Sequence, residues 1–161
     1  MSQSDHEETQ PVEPGYRTVL RTQGIILAIP FAALCIGIDL LVLRGQELPW
    51  GFLTVAALLL TVLLVATVPG RRYANLRYAM DDSTLRVVRG VMFRTDTIVP
   101  FVRVQHIDVG QGPIERLAKV AHLVVHTAGT HNSIVTLPGL SREDAMAMRD
   151  AMRSHIQSDF A

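Results

Sequence analysis

The sequence predicts a membrane-embedded α-helical hairpin followed by a small β-rich domain that ends in a helix. Three observations predict it. Two apolar runs, 24–43 and 50–69, lie close together in the first half of the chain, each long enough to cross a hydrocarbon core that needs about 20 helical residues. Beyond residue 75 the pattern changes to short runs rich in β-branched residues, separated by turn signals. After Ser141 the apolar residues Ala145, Met148, Met152 and Ile156 recur at helical spacing.

Composition agrees. Hydrophobic residues make up 48% of the 161 residues, but nearly all the excess lies between Gly24 and Pro69, and the rest reads as an ordinary soluble domain. The formal charge is zero, and residues 70–161 carry twelve basic against nine acidic residues. So mild an excess suits an anionic membrane surface and argues against a nucleic-acid partner. Cys35 is the single cysteine, which rules out an intramolecular disulfide and a cysteine-based zinc site. Inside an apolar run it reads as a small hydrophobe.

Residues 1–15 are polar and acidic with two prolines, and read as an unstructured tail. They lack the basic start and early apolar stretch of a signal peptide. Residues 16–70 form the hairpin, 71–157 the domain and 158–161 a second tail. In the first run, Pro30 is a kink that membrane helices tolerate. Asp39 lies one turn from the end of that run, where it reads as interfacial or helix-pairing; an intramembrane charge is also a functional candidate. The second run is uncharged and opens with Trp50, an interfacial anchor. The link 44–49 is short enough to force antiparallel helices, and Ala28, Ala32, Cys35 and Ala56 offer small residues for close pairing. Arg17 and Arg21 precede the hairpin and Arg71, Arg72 and Arg77 follow it, so the positive-inside rule puts both termini in the cytoplasm. The rival arrangement, a core hairpin in a soluble protein, needs a larger surrounding chain than the C-terminal remainder provides.

In the domain, strands are expected at 76–80, 85–89, 91–99, 102–109, 122–128 and 133–137, with turns at Asp81–Asp82–Ser83, at Gly90 and at 128–132. Val102, Val104 and His106 would share one face of the fourth of these strands, and Arg103, Gln105 and Ile107 the other. Residues 114–119 read as a short helical turn. Ser141 with Asp144 three residues on is a variant capping box, and the stripe that follows is a core-facing cover for the sheets. Six or seven strands closed by one helix is the order of a pleckstrin-homology-like β-barrel or sandwich.

The stretch 99–129, VPFVRVQHIDVGQGPIERLAKVAHLVVHTAG, carries a more specific signal. At Pro100, Arg103, Gln105, Asp108, Gln111, Gly112, Pro113, Arg116, Thr127, Ala128 and Gly129 it resembles the signature of bacterial PH-domain membrane proteins, the DUF304 or YdbS-like family (bacterial PH domain type 2). The likeness extends over about residues 16–157 and includes the two preceding membrane helices. Members often carry Phe-Gly where this chain has Lys119–Val120, which leaves the turn geometry there open. The resemblance implies a PH-like fold on a membrane anchor, no enzymatic activity, and scaffolding or assembly at the cytoplasmic membrane.

The candidate chemistry is sparse. Arg103, Gln105, Asp108, Gly112, Pro113 and Arg116 form a candidate corner with two open readings: Asp108 accepts hydrogen bonds from Arg103 or Arg116 and fixes the fold, or the corner binds a partner. Arg71, Arg72 and Arg77 are candidate lipid-facing residues or simply topology determinants, and Arg86, Arg89 and Arg94 flank Gly90. His122 and His126 share a strand face and His131 lies in the next loop, but no acid or cysteine is near in sequence to complete a zinc site. No catalytic or cofactor motif appears, so no enzyme, metal or cofactor is expected. The sequence points to a membrane-anchored, non-catalytic binding or scaffold module at the cytoplasmic face of a bacterial plasma membrane. Its contacts would be membrane lipids through the hairpin, an unidentified protein partner and a further copy of itself. Anionic-lipid sensing through the membrane-proximal arginines is the alternative, and a metal-dependent membrane enzyme using Asp39 or the histidines the third reading.

Overall fold

The structure, a computed structural model, describes residues 9–41, 51–128 and 134–158. The elements are β1 (Gln10–Pro11), α1 (Gly15–Leu41), α2 (Phe52–Ala74), β2 (Arg77–Met80), β3 (Thr84–Arg89), β4 (Thr95–Pro100), a 3-10 turn (Phe101–Arg103), β5 (Val104–Gly110), α3 (Pro113–Leu117), β6 (Ala121–Thr127), β7 (Ile134–Leu140) and α4 (Arg142–Ser158). Trp50, the link 44–49, the loop residues 129–133 with Gly129 and His131, and residues 159–161 lie outside the described residues.

The hairpin is longer than the apolar runs. α1 begins nine residues before Gly24, and α2 continues past Pro69 to Ala74. Only 11% of each apolar window is buried. A core helix of a soluble protein would be mostly covered, so these surfaces are solvated by something other than the chain. Along the seam, α1 contributes Cys35 and Asp39 as buried residues, and α2 contributes Ala57. Ala56, expected in the seam, faces outward; the heptad-like run Thr54, Ala57, Thr61, Val65 turns its neighbour to the contact instead. Asp39 has a helix-pairing role. Gly51 stands at the N-cap of α2 and has no side chain to cap it. The Asp39 carboxylate fills that place from the other helix, accepting the Thr54 N–H at 2.7 Å and the Thr54 hydroxyl. A carboxylate is favoured there by the orphan amides and the helix dipole.

The domain is two antiparallel sheets that do not close into a barrel. The first has the order β1-β2-β3-β4 and the second β5-β6-β7. Between the sheets lie Leu85 and Val87 of β3, Leu123 and Val125 of β6, and Leu137 of β7, all fully buried. Each such side chain contributes about 1.5–3 kcal/mol relative to exposure. α4 covers the open end. Ala145, Met148 and Met152 are buried and Ile156 packs against the same core, so the stripe is core as expected. Ser141 Oγ accepts the Asp144 N–H at 2.9 Å, the expected N-cap.

Four expectations are corrected. Residues 10–15 do not belong to an unstructured tail: Gln10–Pro11 pair with β2, Val12 is buried, and Glu13 N–H donates to the Gly139 carbonyl at 2.8 Å. The third strand starts at Thr95 rather than 91, because Gly90 holds a left-handed φ of 124° and turns the chain sharply; a Cβ there would meet the Phe93 carbonyl oxygen at 1.8 Å. The fourth strand starts at Val104, after the 3-10 turn, and the last runs on to Leu140 through Pro138.

The domain sits directly on the base of the hairpin. Tyr73 Oη donates to the Val12 carbonyl at 3.0 Å, and the Arg17 guanidinium lies 4.7 Å over the Tyr73 ring. Val19 and Leu20 of α1 are buried, and the N-terminal part of α1 contacts α3 and β7. Both helices therefore meet the domain at the same end of the hairpin.

Candidate functional site

The signature residues follow β5 from end to end. Between Val104 and His106 the pairing with β6 slips by one residue, since Val104 faces Thr127 and His106 faces His126. Gln105 is thus the extra residue of a β-bulge. The bulge reverses the expected alternation: Val104 points to the core, then Ile107 and Val109, while His106 and Asp108 point outward. Arg103 lies in the 3-10 turn before the bulge, where its carbonyl accepts the Ala128 N–H at 2.9 Å. The side chains of Arg103 and Gln105 are exposed.

Gly112, Pro113 and Arg116 are at the other end. β5 has seven residues, and at about 3.3 Å per residue its ends are about 20 Å apart. Five of the six residues expected at one corner therefore fall into two groups on opposite ends of a strand. Asp108 lies between them and pairs with neither arginine. His106 Nε2 is 2.8 Å and His126 Nε2 3.6 Å from its carboxylate oxygens. Strand pairing brings these histidines side by side with ring centroids 5.8 Å apart. Among the described residues no group of three or more histidine, cysteine or acidic side chains is disposed to hold a metal ion.

The corner after β5 is held by Glu115, which is not among the candidate residues of the sequence, together with Gln111 of the signature. Glu115, at the third position of α3, accepts the Gly112 N–H at 2.7 Å, and its carboxylate lies 2.8 Å from His122 Nδ1. Gln111 Nε2 donates to the Val120 carbonyl at 2.9 Å. Gly110 is required by close approach, since a Cβ there would come within 2.3 Å of the His122 ring. Pro113 opens α3, where its missing N–H costs nothing. The spacing of Gly112 and Glu115 is that of a capping box, which was the available signal. Arg116 projects into solvent.

The candidate lipid-facing residues separate as well. Arg71 and Arg72 line a pocket of 910 Å³ at the junction of hairpin and domain, together with Tyr16, Thr67, Val68 and Arg89. Its outer wall is the β3–β4 turn, in which Met92 and Phe93 are 87% and 84% exposed. Burial, then the nearby Glu115, push the Tyr16 phenol above its ordinary range, against the opposing pull of Arg72. Arg77 does not line the pocket; it sits in β2 between Pro11 and Val88.

Comparison with known proteins converges on the same architecture. Residues 24–156 match the family model described as bacterial PH domain. The transmembrane protein YdbS of Bacillus subtilis (strain 168) is 31% identical over 143 residues, covering 88% of this chain and 88% of that protein. No solved structure matches the chain. The two lipid-length helices, the two-sheet domain with its C-terminal helix and the β5–α3 signature together make this chain a membrane protein of the bacterial PH domain family.

Proposed function

We propose that the protein is a non-catalytic binding or scaffold module, anchored at the cytoplasmic face of the bacterial plasma membrane with both termini in the cytoplasm, and that it acts by protein–protein association. One observation supports this most. β4 is a six-residue edge strand, hydrogen-bonded to β3 on one side and to no strand on the other among the described residues. Exposed edges recruit extended segments unless charge, proline or cover protects them. β7 carries Pro138, and the Glu13 amide covers its Gly139 carbonyl. α4 lies against β5. β4 has its proline, Pro100, only at its last position, where the rest of the edge stays free of it; its one charge, Asp96, is matched by Arg86 at 2.5 Å, and Ile98 is exposed. An extended segment of a partner, or β4 of a second copy, fits this edge. Arg103 and Gln105, just beyond β4 across the 3-10 turn, would border that partner, and Arg116 marks the second surface.

Crosslinking of the full-length protein in native membranes tests the reading. Ile98→Lys is expected to remove adducts formed by the wild type, with thermal unfolding moved by no more than about 0.5 kcal/mol, as for an exposed substitution. If Ile98→Lys, Arg103→Ala and Arg116→Ala all leave the adduct pattern of the wild type, association through this domain is rejected.

A further inference from the structure

The junction pocket is chemically one-sided. Arg71, Arg72 and Arg89 line it with no carboxylate among its lining residues, and none of the three is in an ion pair among the described residues. Tyr16 adds a phenol hydroxyl that can donate. Arginine forks and a hydroxyl are donors that match phosphate oxygens.

The pocket also straddles the expected membrane boundary. Thr67 and Val68 belong to the last turn of the second apolar run, and Arg71 and Arg72 follow one turn later. It continues through Leu20, Val68 and Arg72 into a second space of 510 Å³ along the hairpin, walled by Leu27, Phe31, Leu60 and Leu64. Guanidinium groups at the base of an apolar groove match a molecule with an anionic head and a hydrocarbon tail. The turn after β3 adds a third feature. Gly90 bends the chain so that Val91, Met92 and Phe93 stand out beside the helix ends, a placement suited to the headgroup layer.

We propose that this pocket holds the headgroup of an anionic phospholipid, with an acyl chain of the same lipid in the groove between α1 and α2. The proposal rests on the reading that the hairpin spans the membrane with the domain on the anionic leaflet. A free phosphate would use the arginines but neither the groove nor the apolar turn, so the lipid is the occupant that uses every wall.

Native mass spectrometry of the full-length protein tests this, with an equimolar mixture of phosphatidylglycerol and phosphatidylcholine of matched chains. The wild type is expected to retain phosphatidylglycerol in preference. Each of Arg71→Ala, Arg72→Ala and Arg89→Ala is expected to lower that preference about fivefold, and the triple variant on the order of a hundredfold. The pair Met92→Ser and Phe93→Ser is expected to lower total retained lipid and leave the preference. Excess inorganic phosphate is expected to leave the adduct in place. Equal retention of the two lipids by the wild type overturns the proposal, as does a wild-type preference in the triple variant. Displacement by phosphate overturns the lipid in favour of a free-anion site. Should the triple variant unfold early, Arg89→Ala decides alone, since this exposed side chain ends β3. Lost lipid preference with crosslinked adducts intact defeats this inference only. A wild-type protein that stays in the aqueous fraction without detergent defeats the membrane reading beneath it.

Discussion

Lys119 is the residue at which backbone and side chain disagree most plainly. α3 ends in a Schellman arrangement: Val120 N–H donates to the Glu115 carbonyl at 2.9 Å and Lys119 N–H to the Arg116 carbonyl at 3.2 Å. That geometry places Lys119 at φ 55°, left-handed, the single such non-glycine among the described residues. A Cβ in this region costs roughly 1–2 kcal/mol, partly offset by the flexibility glycine adds to the unfolded chain. Lys119→Gly is therefore expected to stabilise the domain by about 0.5–1 kcal/mol, and Lys119→Val to destabilise it, both read from denaturant unfolding of the full-length protein in detergent. The missing glycine of the family pattern thus falls on a turn that forms regardless, under strain. Arg86 and Asp96 give a second residue-scale expectation. The Arg86 hydrogen bond holds the exposed Asp96 carboxyl below its ordinary value. A carboxylate depressed in the folded state contributes stability above its unfolded pKa, about 3.9, and that contribution is lost as pH falls through the folded value. For so exposed a pair it is at most about 1 kcal/mol. Asp96→Asn should remove that contribution at neutral pH, lowering stability by at most about 1 kcal/mol, and flatten the wild-type loss below about pH 4, where the two proteins converge.

At the scale of elements, two joints carry the architecture. In the hairpin, Asp39 caps α2 across the seam because Gly51 has no side chain to do so. Asp39→Leu is expected to cost about 1 kcal/mol, the worth of a cap. Asp39→Asn keeps an acceptor oxygen without burying a charge, and should be at least as stable as the wild type in the same detergent unfolding measurement. In the domain, Glu115 joins the start of α3 to β6. Glu115→Ala leaves the Gly112 amide and the His122 ring without their acceptor and should cost about 1–2 kcal/mol. How much of this was legible varies with the range of the cause. Strands β2, β3 and β6, the stripe of α4 and both membrane helices follow from local periodicity, and local periodicity is in the sequence. The bulge at Gln105 is not: it is a register slip against β6, and it alone reverses which faces His106 and Asp108 occupy. β1 was hidden because two residues with a proline carry no strand pattern, and their order comes from Val12 and the Gly139 carbonyl far along the chain. One of the two readings of Asp108 gives it Arg103 or Arg116 as a partner, whereas the strand places His106 beside it and sheet pairing adds His126 from the next strand. Glu115 is legible through its spacing from Gly112, but its contact with His122 depends on β6 folding back beside α3.

For the whole molecule, the attachment of the domain fixes more than the apolar runs do. Tyr73 at the end of α2 bonds the carbonyl of Val12 just before α1, and Leu20 is buried beside that joint. The segment before the first helix, the exit of the second and the C-terminal helix thus belong to one body at one end of the hairpin. A topology that put the two ends on different sides of a membrane would have to break the Tyr73 bond, expose Val12, Val19 and Leu20, and separate β1 from β2. The arginines of that end, Arg17, Arg21, Arg71 and Arg72, support the proposed cytoplasmic side for this body, since basic flanks favour it. Short tags at the N-terminus and at the C-terminus are expected to be protected from an external protease in intact cells, and both cleaved once the membrane is opened. A tag inserted in the link 44–49 should be cleaved from outside. Protection of one terminal tag and cleavage of the other would break the joint at Tyr73. Cleavage of both terminal tags in intact cells would keep the joint and reverse the side, and with it the anionic leaflet on which the junction arginines depend.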